Sequence, residues 1–266
     1  MSSKPVIQIE GLGKKYLLKN SQVSHDKSLR EQLASWYKQP FKTSDMEFWA
    51  LRDFDYTIYP GQSIGIIGTN GSGKSTLLKL LSRVTRPTTG TITIFGRVSA
   101  LLEVGTGFHL ELSGRENIFL SGAMLGMKRS EIVARFDEIV SFSGIEKFLD
   151  TPVKRYSSGM FLRLAFSVMS HLRSDILILD EILAVGDGAF QAQCLEKIQA
   201  IMREGRTVLF VSHELSKVKL LCTETLWIRE GRLFDFGATA AVLERYKSHN
   251  EISSNSLSAN PQFSSL

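Results

Sequence analysis

Three short segments carry residue types whose spacing suits phosphate chemistry. Gly68-Thr69-Asn70-Gly71-Ser72-Gly73-Lys74-Ser75-Thr76 fits the pattern GxxxxGK[ST], between an apolar run at Ser63 to Ile67 and an apolar helix pattern at Leu77 to Leu81. Glycines let backbone N–H groups turn inward as a nest for phosphate oxygens, and the positive end of the helix dipole adds to it. There Lys74 reaches the β- and γ-phosphates of a nucleotide, and Ser75 offers a hydroxyl to Mg2+, a hard cation held through one or two protein oxygens. Ile176-Leu177-Ile178-Leu179-Asp180-Glu181 puts two carboxylates at the C-terminal end of an apolar strand, the edge where open α/β sheets bind ligands. Asp180 is expected to hold Mg2+, directly or through water, and Glu181 to act as general base on the attacking water. Finally, Tyr156-Ser157-Ser158-Gly159-Met160 opens a helix carrying Leu162, Leu164, Phe166 and Val168. A serine hydroxyl, a glycine N–H and a helix N-terminus are all ligands for anions.

Elements of two periodicities must hold these segments in place. Val6 to Leu12, Phe48 to Leu51 and Phe54 to Ile58 read as strands, and Ser63 to Ile67 as a short buried one after a Pro60-Gly61 turn. The stretch from Glu111 to Arg173 reads as mainly helical, with Ile132, Val133, Phe136, Ile139 and Val140 on one face behind a Ser130 cap. Ile176 to Leu179 and Thr207 to Val211 are apolar runs of the kind found in the centre of a covered parallel sheet. Residues 224 to 228 and 232 to 236 flank Glu230-Gly231 as a hairpin, and a last helix follows from about Ala240 to Tyr246. The expectation is an α/β architecture with an inserted helical lobe at about 108–173, within one domain over 1–247. The serine-rich segment 248–266 is expected to be disordered, because it buries too little apolar surface to offset the entropy of ordering.

One segment allows two readings. In the polar stretch 17–47, Leu29, Leu33, Trp36 and Tyr37 make one helical stripe, with Ser28 and Glu31 as its capping box. The stripe packs on its own domain or faces a membrane partner or lipid headgroups.

Composition excludes several classes. With 43% hydrophobic and 22% charged residues, the chain can build a sizeable core, and no stretch is apolar enough for a membrane span or a signal peptide. Cys194 and Cys222 show neither disulfide-framework nor zinc spacing and read as buried thiols. A net charge of +5 does not choose between nucleic acid, an anionic membrane and a mildly basic surface, but the basic residues are scattered, so no nucleic-acid partner is expected.

Segment 156–160, at its distance before Asp180, resembles the LSGGQ signature of ABC ATPases, with Tyr156, Ser158 and Met160 departing from that pattern and Ser157 and Gly159 retained. The resemblance, which spans roughly residues 6 to 246, implies a P-loop NTPase fold with a RecA-like core, an N-terminal antiparallel β lobe and the helical lobe. It implies ATP and Mg2+ as ligands, and a homodimer in which Ser157, Ser158 and Gly159 of one subunit face the γ-phosphate held by Lys74 of the other. Val211-Ser212-His213 is similar to the family's switch histidine, and Ala184-Val185-Gly186-Asp187 to its D-loop at the dimer interface. Tyr16 is similar to the aromatic that stacks on adenine, the alternative being plain packing.

Leu102 to His109 with Glu111 to Ile118 occupy the place of the Q-loop, where Glu103 stands for the Mg2+-binding glutamine. With Phe48 to Leu51, the 17–47 insert and Ile182 to Asp187, this looks like the polysaccharide-exporter branch, which moves lipid-linked O-antigen, capsule or teichoic acid. That branch implies two membrane-spanning permease subunits as partners, a lipid-linked glycan as cargo and a peripheral place on the cytoplasmic face of the inner membrane. The rival reading is a soluble ABC-type ATPase such as one of cluster assembly.

Overall fold

Strands β3 (Ser63–Ile67) and β7 (Thr207–Val211) are buried along their whole length, as is β6 (Ile176–Leu179). Unbroken burial requires cover on both faces, the condition of a central parallel strand. The computed structural model describes residues 4–18, 46–101, 108–124, 126–171, 174–180 and 187–258, with backbone alone at 18, at 101 and over 251–258. In it the main sheet runs in the order β5-β6-β7-β3-β8-β9, with β5 (Val98–Leu101), β8 (Glu224–Arg229) and β9 (Arg232–Ala238) completing the set. All neighbours in it are parallel except the β8–β9 hairpin. A second, antiparallel sheet places β1 (Ile7–Leu18) between β2 (Met46–Ile58) and β4 (Thr89–Ile94).

Helix α1 (Lys74–Leu81) joins the two sheets. Its Leu77 and Leu78 share one buried cluster with Ile7, Leu51 and Phe54 of the antiparallel sheet and Ile64 and Ile66 of β3. Helices α2 (Gly114–Met124), α3 (Arg129–Ser143) and α4 (Ser158–His171) build a separate core from Ile118, Ile132, Ile139, Leu164 and Val168. Phe166 leaves that core and enters the one formed by α5 (Gly188–Arg203), where Phe142 stacks on Phe166 and Phe190 meets both edge-on, with centroids 5.7 to 6.2 Å apart. Contacts of that geometry add to the area they bury, so α4 is held from both sides. Short α6 (Leu215–Leu221) follows β7.

Several local expectations are corrected. The cap of α3 is Lys128, not Ser130: the helix begins at Arg129, and the Glu131 carboxylate accepts from the Lys128 N–H at 2.8 Å. Strands β4 and β5 were not expected, because Thr89–Ile94 is mostly exposed and Val98–Leu101 is only four residues long. Helix α7 (Thr239–Ser258) runs well past Tyr246, so the chain over 248–258 is helical. Its composition is poor in apolar residues, and the contacts that anchor α7 lie at its middle. Tyr246 and His249 both pack on Trp227, and Arg229 Nη1 lies 2.6 Å from His249 Nε2. The helical stripe at Leu29 to Tyr37, with Ser28 and Glu31, lies outside the described residues, as does 259–266. Cys194 and Cys222 are free and buried, and burial pushes both thiols up to about 12. Among the described residues no helix is long and apolar enough to cross a membrane.

Candidate active site

Between the end of β3 and the start of α1 the chain turns through Gly68 to Gly73, and crowding explains two of its glycines. A Cβ on Gly68 (φ 151°) would stand 2.2 Å from the Ile228 carbonyl oxygen and 2.6 Å from Ser72 Oγ. One on Gly73 (φ 111°) would stand 2.5 Å from the Ala50 carbonyl oxygen. Gly71 has open space around it and is glycine for its left-handed φ of 77°. Thr69, Asn70 and Ser75 are exposed and Thr76 is partly buried, so the loop's outer rim is accessible.

The loop is seated by a segment far away in sequence. Glu230 and Gly231 have φ of 50° and 76°, as a type I′ hairpin turn requires, and the Gly231 N–H donates to the Ser72 carbonyl at 3.0 Å. Gly231 in turn accepts from the Arg52 N–H at 2.8 Å, tying loop, hairpin and β2 together. Sequence reading found this hairpin but not its role, since only the β3–β8 pairing brings it beside the loop.

Lys74 folds back over the loop, its Nζ donating to the Gly68 and Thr69 carbonyls at 2.7 and 2.9 Å. Half-burial lowers its pKa, with the charge of Asp180 opposing; burial raises the carboxyl of Asp180, with Lys74 opposing. Each therefore lies in the other's field, although β7 separates β6 from β3 and two strand spacings amount to about 10 Å. His213 follows β7 and emerges, exposed, between the phosphate loop and Asp180. Buried Ser212 beneath it accepts from the Glu214 N–H at 3.0 Å, which fixes the turn.

Tyr16 stays within β1 and pairs with Phe48, two positions beyond the Lys14–Leu51 pair, so it stands about 7 Å along the strand from that register. Leu51 itself packs on Gly73, which places Tyr16 near the loop's flank. Lys14 Nζ lies 5.2 Å from the Tyr16 ring centroid.

Ser157, Ser158 and Gly159 start α4 on the helical lobe. The Ser157 hydroxyl accepts from the Met160 N–H at 3.2 Å, capping its own helix, and no hydrogen bond joins these residues to the phosphate loop. Tyr156 anchors the turn by donating to the Phe148 carbonyl at 2.9 Å. Asp187 caps α5 by accepting from the Phe190 N–H at 2.8 Å. Arg163, one turn after Gly159, reaches Asp187 at 3.6 Å and lies over the Phe190 ring at 4.6 Å. Sequence reading missed Arg163; its i, i+4 spacing from Gly159 is the signal that marks its face. Glu181, Glu103 and Ala184 to Gly186 lie outside the described residues.

This arrangement fits a nucleoside triphosphate. The loop presents a backbone cradle that Cβ atoms would fill, an ammonium held on carbonyls that phosphate oxygens can replace, and a carboxylate whose burial an opposite charge would relieve.

Comparison with known proteins agrees. Residues 51–184 match the family model described as ABC transporter. The chain is 42% identical over 244 residues to the O-antigen export system ATP-binding protein RfbB of Klebsiella pneumoniae, covering 91% of this chain and 98% of that one. It is 41% identical over 235 residues to the teichoic acids export ATP-binding protein TagH of Levilactobacillus brevis, covering 87% of this chain and 65% of the relative. Among solved structures, a dimeric ATP-binding cassette in a post-hydrolysis state with ADP and Pi superposes with a TM-score of 0.69 at 16% identity, covering 88% of this chain and 98% of that one, a likeness of fold. The P-loop NTPase architecture, the seated phosphate loop and the extent of these matches together make this chain a member of the ABC transporter family, and an ATPase.

Proposed function

We propose that this chain powers export of a lipid-linked polysaccharide, O-antigen in the first place, as one of two identical ATPase subunits bound to two membrane-spanning subunits at the cytoplasmic face of the inner membrane. One observation carries the dimeric part. Ser157 and Ser158 are exposed where α4 begins, the Ser157 hydroxyl capping its own helix, and this outward-facing set of anion ligands supports a phosphate held by a second copy. The near full-length likeness to an O-antigen exporter supports the cargo.

In each site Lys74 exchanges its loop carbonyls for β- and γ-phosphate oxygens, and the loop N–H groups hold the phosphates from below. Ser75 and Asp180 suit Mg2+, with Glu103 as a further ligand; the ion, when bound, neutralises charge on the phosphate oxygens. Glu181 orients the water and takes its proton, His213 senses the γ-phosphate, and Tyr16 stacks on the adenine. Asp187 and Arg163 keep α4 and α5 in register, so that the signature segment is presented as a unit.

The test is ATP turnover of the chain reconstituted in lipid with its membrane subunit, alone and with O-polysaccharide, capsule or teichoic acid precursors. Stimulation by lipid-linked O-polysaccharide is expected. Stimulation by a teichoic acid precursor alone would replace the cargo, and turnover indifferent to subunit and glycan would sink the export reading. Lys74→Ala, Asp180→Asn and Glu181→Gln should each lower turnover at least about a hundredfold; wild-type turnover in any of them would show its role to be wrong.

A further inference from the structure

The edge of the main sheet opposite the phosphate loop opens into a cavity of about 810 Å³, within the size range of small-molecule sites. Its wall comes from three parts of the molecule. Phe95 follows β4, Arg135 stands on α3, Ser174 and Asp175 precede β6, and Glu204 and Arg206 precede β7. Since β6 and β7 begin here and the nucleotide residues follow their other ends, the cavity is separate from the nucleotide site.

Ser174 gives the first sign of a ligand. It is 6% exposed, lines the cavity, and its hydroxyl has no hydrogen-bond partner among the described residues. A buried hydroxyl loses its water, and with no partner that loss is uncompensated, which is why such groups are few.

The charges give the second. Arg135 donates through Nη1 to Glu138 at 2.9 Å, and a guanidinium carries five N–H donors. Arg206, with a side chain 19% exposed, lies 3.1 Å from Glu204. Asp175 accepts the Arg97 N–H at 2.7 Å through one oxygen, and a carboxylate accepts at both. Two guanidinium groups on different elements suit a phosphate, but a bare anion would also face two carboxylates, and a bare cation two arginines. A ligand with one phosphate and several hydroxyls satisfies both sets, because carboxylates accept from hydroxyls. Phe95, 54% exposed, supplies an apolar ring face beside them.

We propose that this cavity is a second ligand site, for a phosphorylated sugar. Its phosphate meets Arg135, Arg206 and the Ser174 hydroxyl, its hydroxyls meet Asp175 and Glu204, and its ring lies on Phe95. Arg135 rides on the helical lobe whereas Ser174 and Arg206 belong to the main sheet, so an occupant bridges the two and acts as a regulator of how they sit. The site does not depend on which polymer is exported.

Calorimetric titration of the full chain, with ADP saturating the phosphate loop, tests this. Glucose 1-phosphate, glucose and inorganic phosphate are the separate titrants. Glucose 1-phosphate should bind saturably at one site per chain, at least about tenfold tighter than either fragment, and Arg135→Gln and Phe95→Ala should each weaken it about tenfold. Both substitutions are at accessible side chains, and an unchanged melting temperature verifies folding. No saturable binding up to about 10 mM overturns the proposal. So does phosphate binding as tightly as glucose 1-phosphate, or affinity unchanged in both variants.

Discussion

Alanine at Gly68 and at Gly71 should have very different consequences, although both glycines belong to the same motif. At Gly71 a Cβ meets nothing within 4 Å, so the only penalty is a left-handed φ of 77°, about 1–2 kcal/mol. At Gly68 the backbone φ of 151° costs a non-glycine residue about 1–3 kcal/mol. There the Cβ would also stand 2.2 Å from the Ile228 carbonyl, inside a strand that pairs with β3, and overpacking of that kind adds about 1–3 kcal/mol. The sum is about 2–6 kcal/mol. Relief is possible only by moving the loop off β8, which disperses the N–H groups of the nest. Urea denaturation should therefore rank wild type, Gly71→Ala and Gly68→Ala in falling stability. Equilibrium dialysis with labelled ADP should show binding kept in Gly71→Ala and lost in Gly68→Ala. A Gly68→Ala chain of wild-type stability and affinity, or one more tolerant than Gly71→Ala, would refute the account of how the loop is seated.

Arg163→Gln removes the 3.6 Å contact to Asp187 and the stacking on Phe190, for a loss of about 1–2 kcal/mol; thermal melts should show it, with Arg163→Lys recovering only part, and an unshifted melt would mean that the seam is held by the phenylalanines alone. In the helical lobe, hydrogen bonds from Lys154, Arg135 and Arg115 hold the carboxyls of Glu111, Glu138 and Asp150 below the usual range, and the Ser113 N–H and hydroxyl do so for Glu116. The folded chain thus keeps these groups ionised to lower pH than the unfolded chain does. Their contribution is complete above the unfolded carboxylate range near about pH 4 and is lost as pH falls through the folded values. Asp180, raised by burial, has the opposite sign and is eased by acid. The urea midpoint followed by circular dichroism should therefore fall between about pH 5 and pH 3, less steeply in Asp150→Asn; a flat profile would contradict these pairings.

The candidate site residues and the strands that bear them were legible in the sequence. Lys74, Ser75, Asp180 and His213 each follow a short apolar run, and the burial of β3, β6 and β7 follows from composition alone. Such features are local: a motif, a period and a boundary lie within a few residues of one another. Tertiary structure alone decided how those pieces meet. Gly231 seats the phosphate loop, and Ile228 makes Gly68 obligatory, through a pairing of segments far apart in the chain. Arg163 joins α4 to Asp187, and Trp227 and Arg229 anchor α7 at Tyr246 and His249. Those contacts rest on shape and charge between distant residues, to which neither periodicity nor composition is sensitive, and the strain at each glycine has no existence until the neighbouring strand is in place.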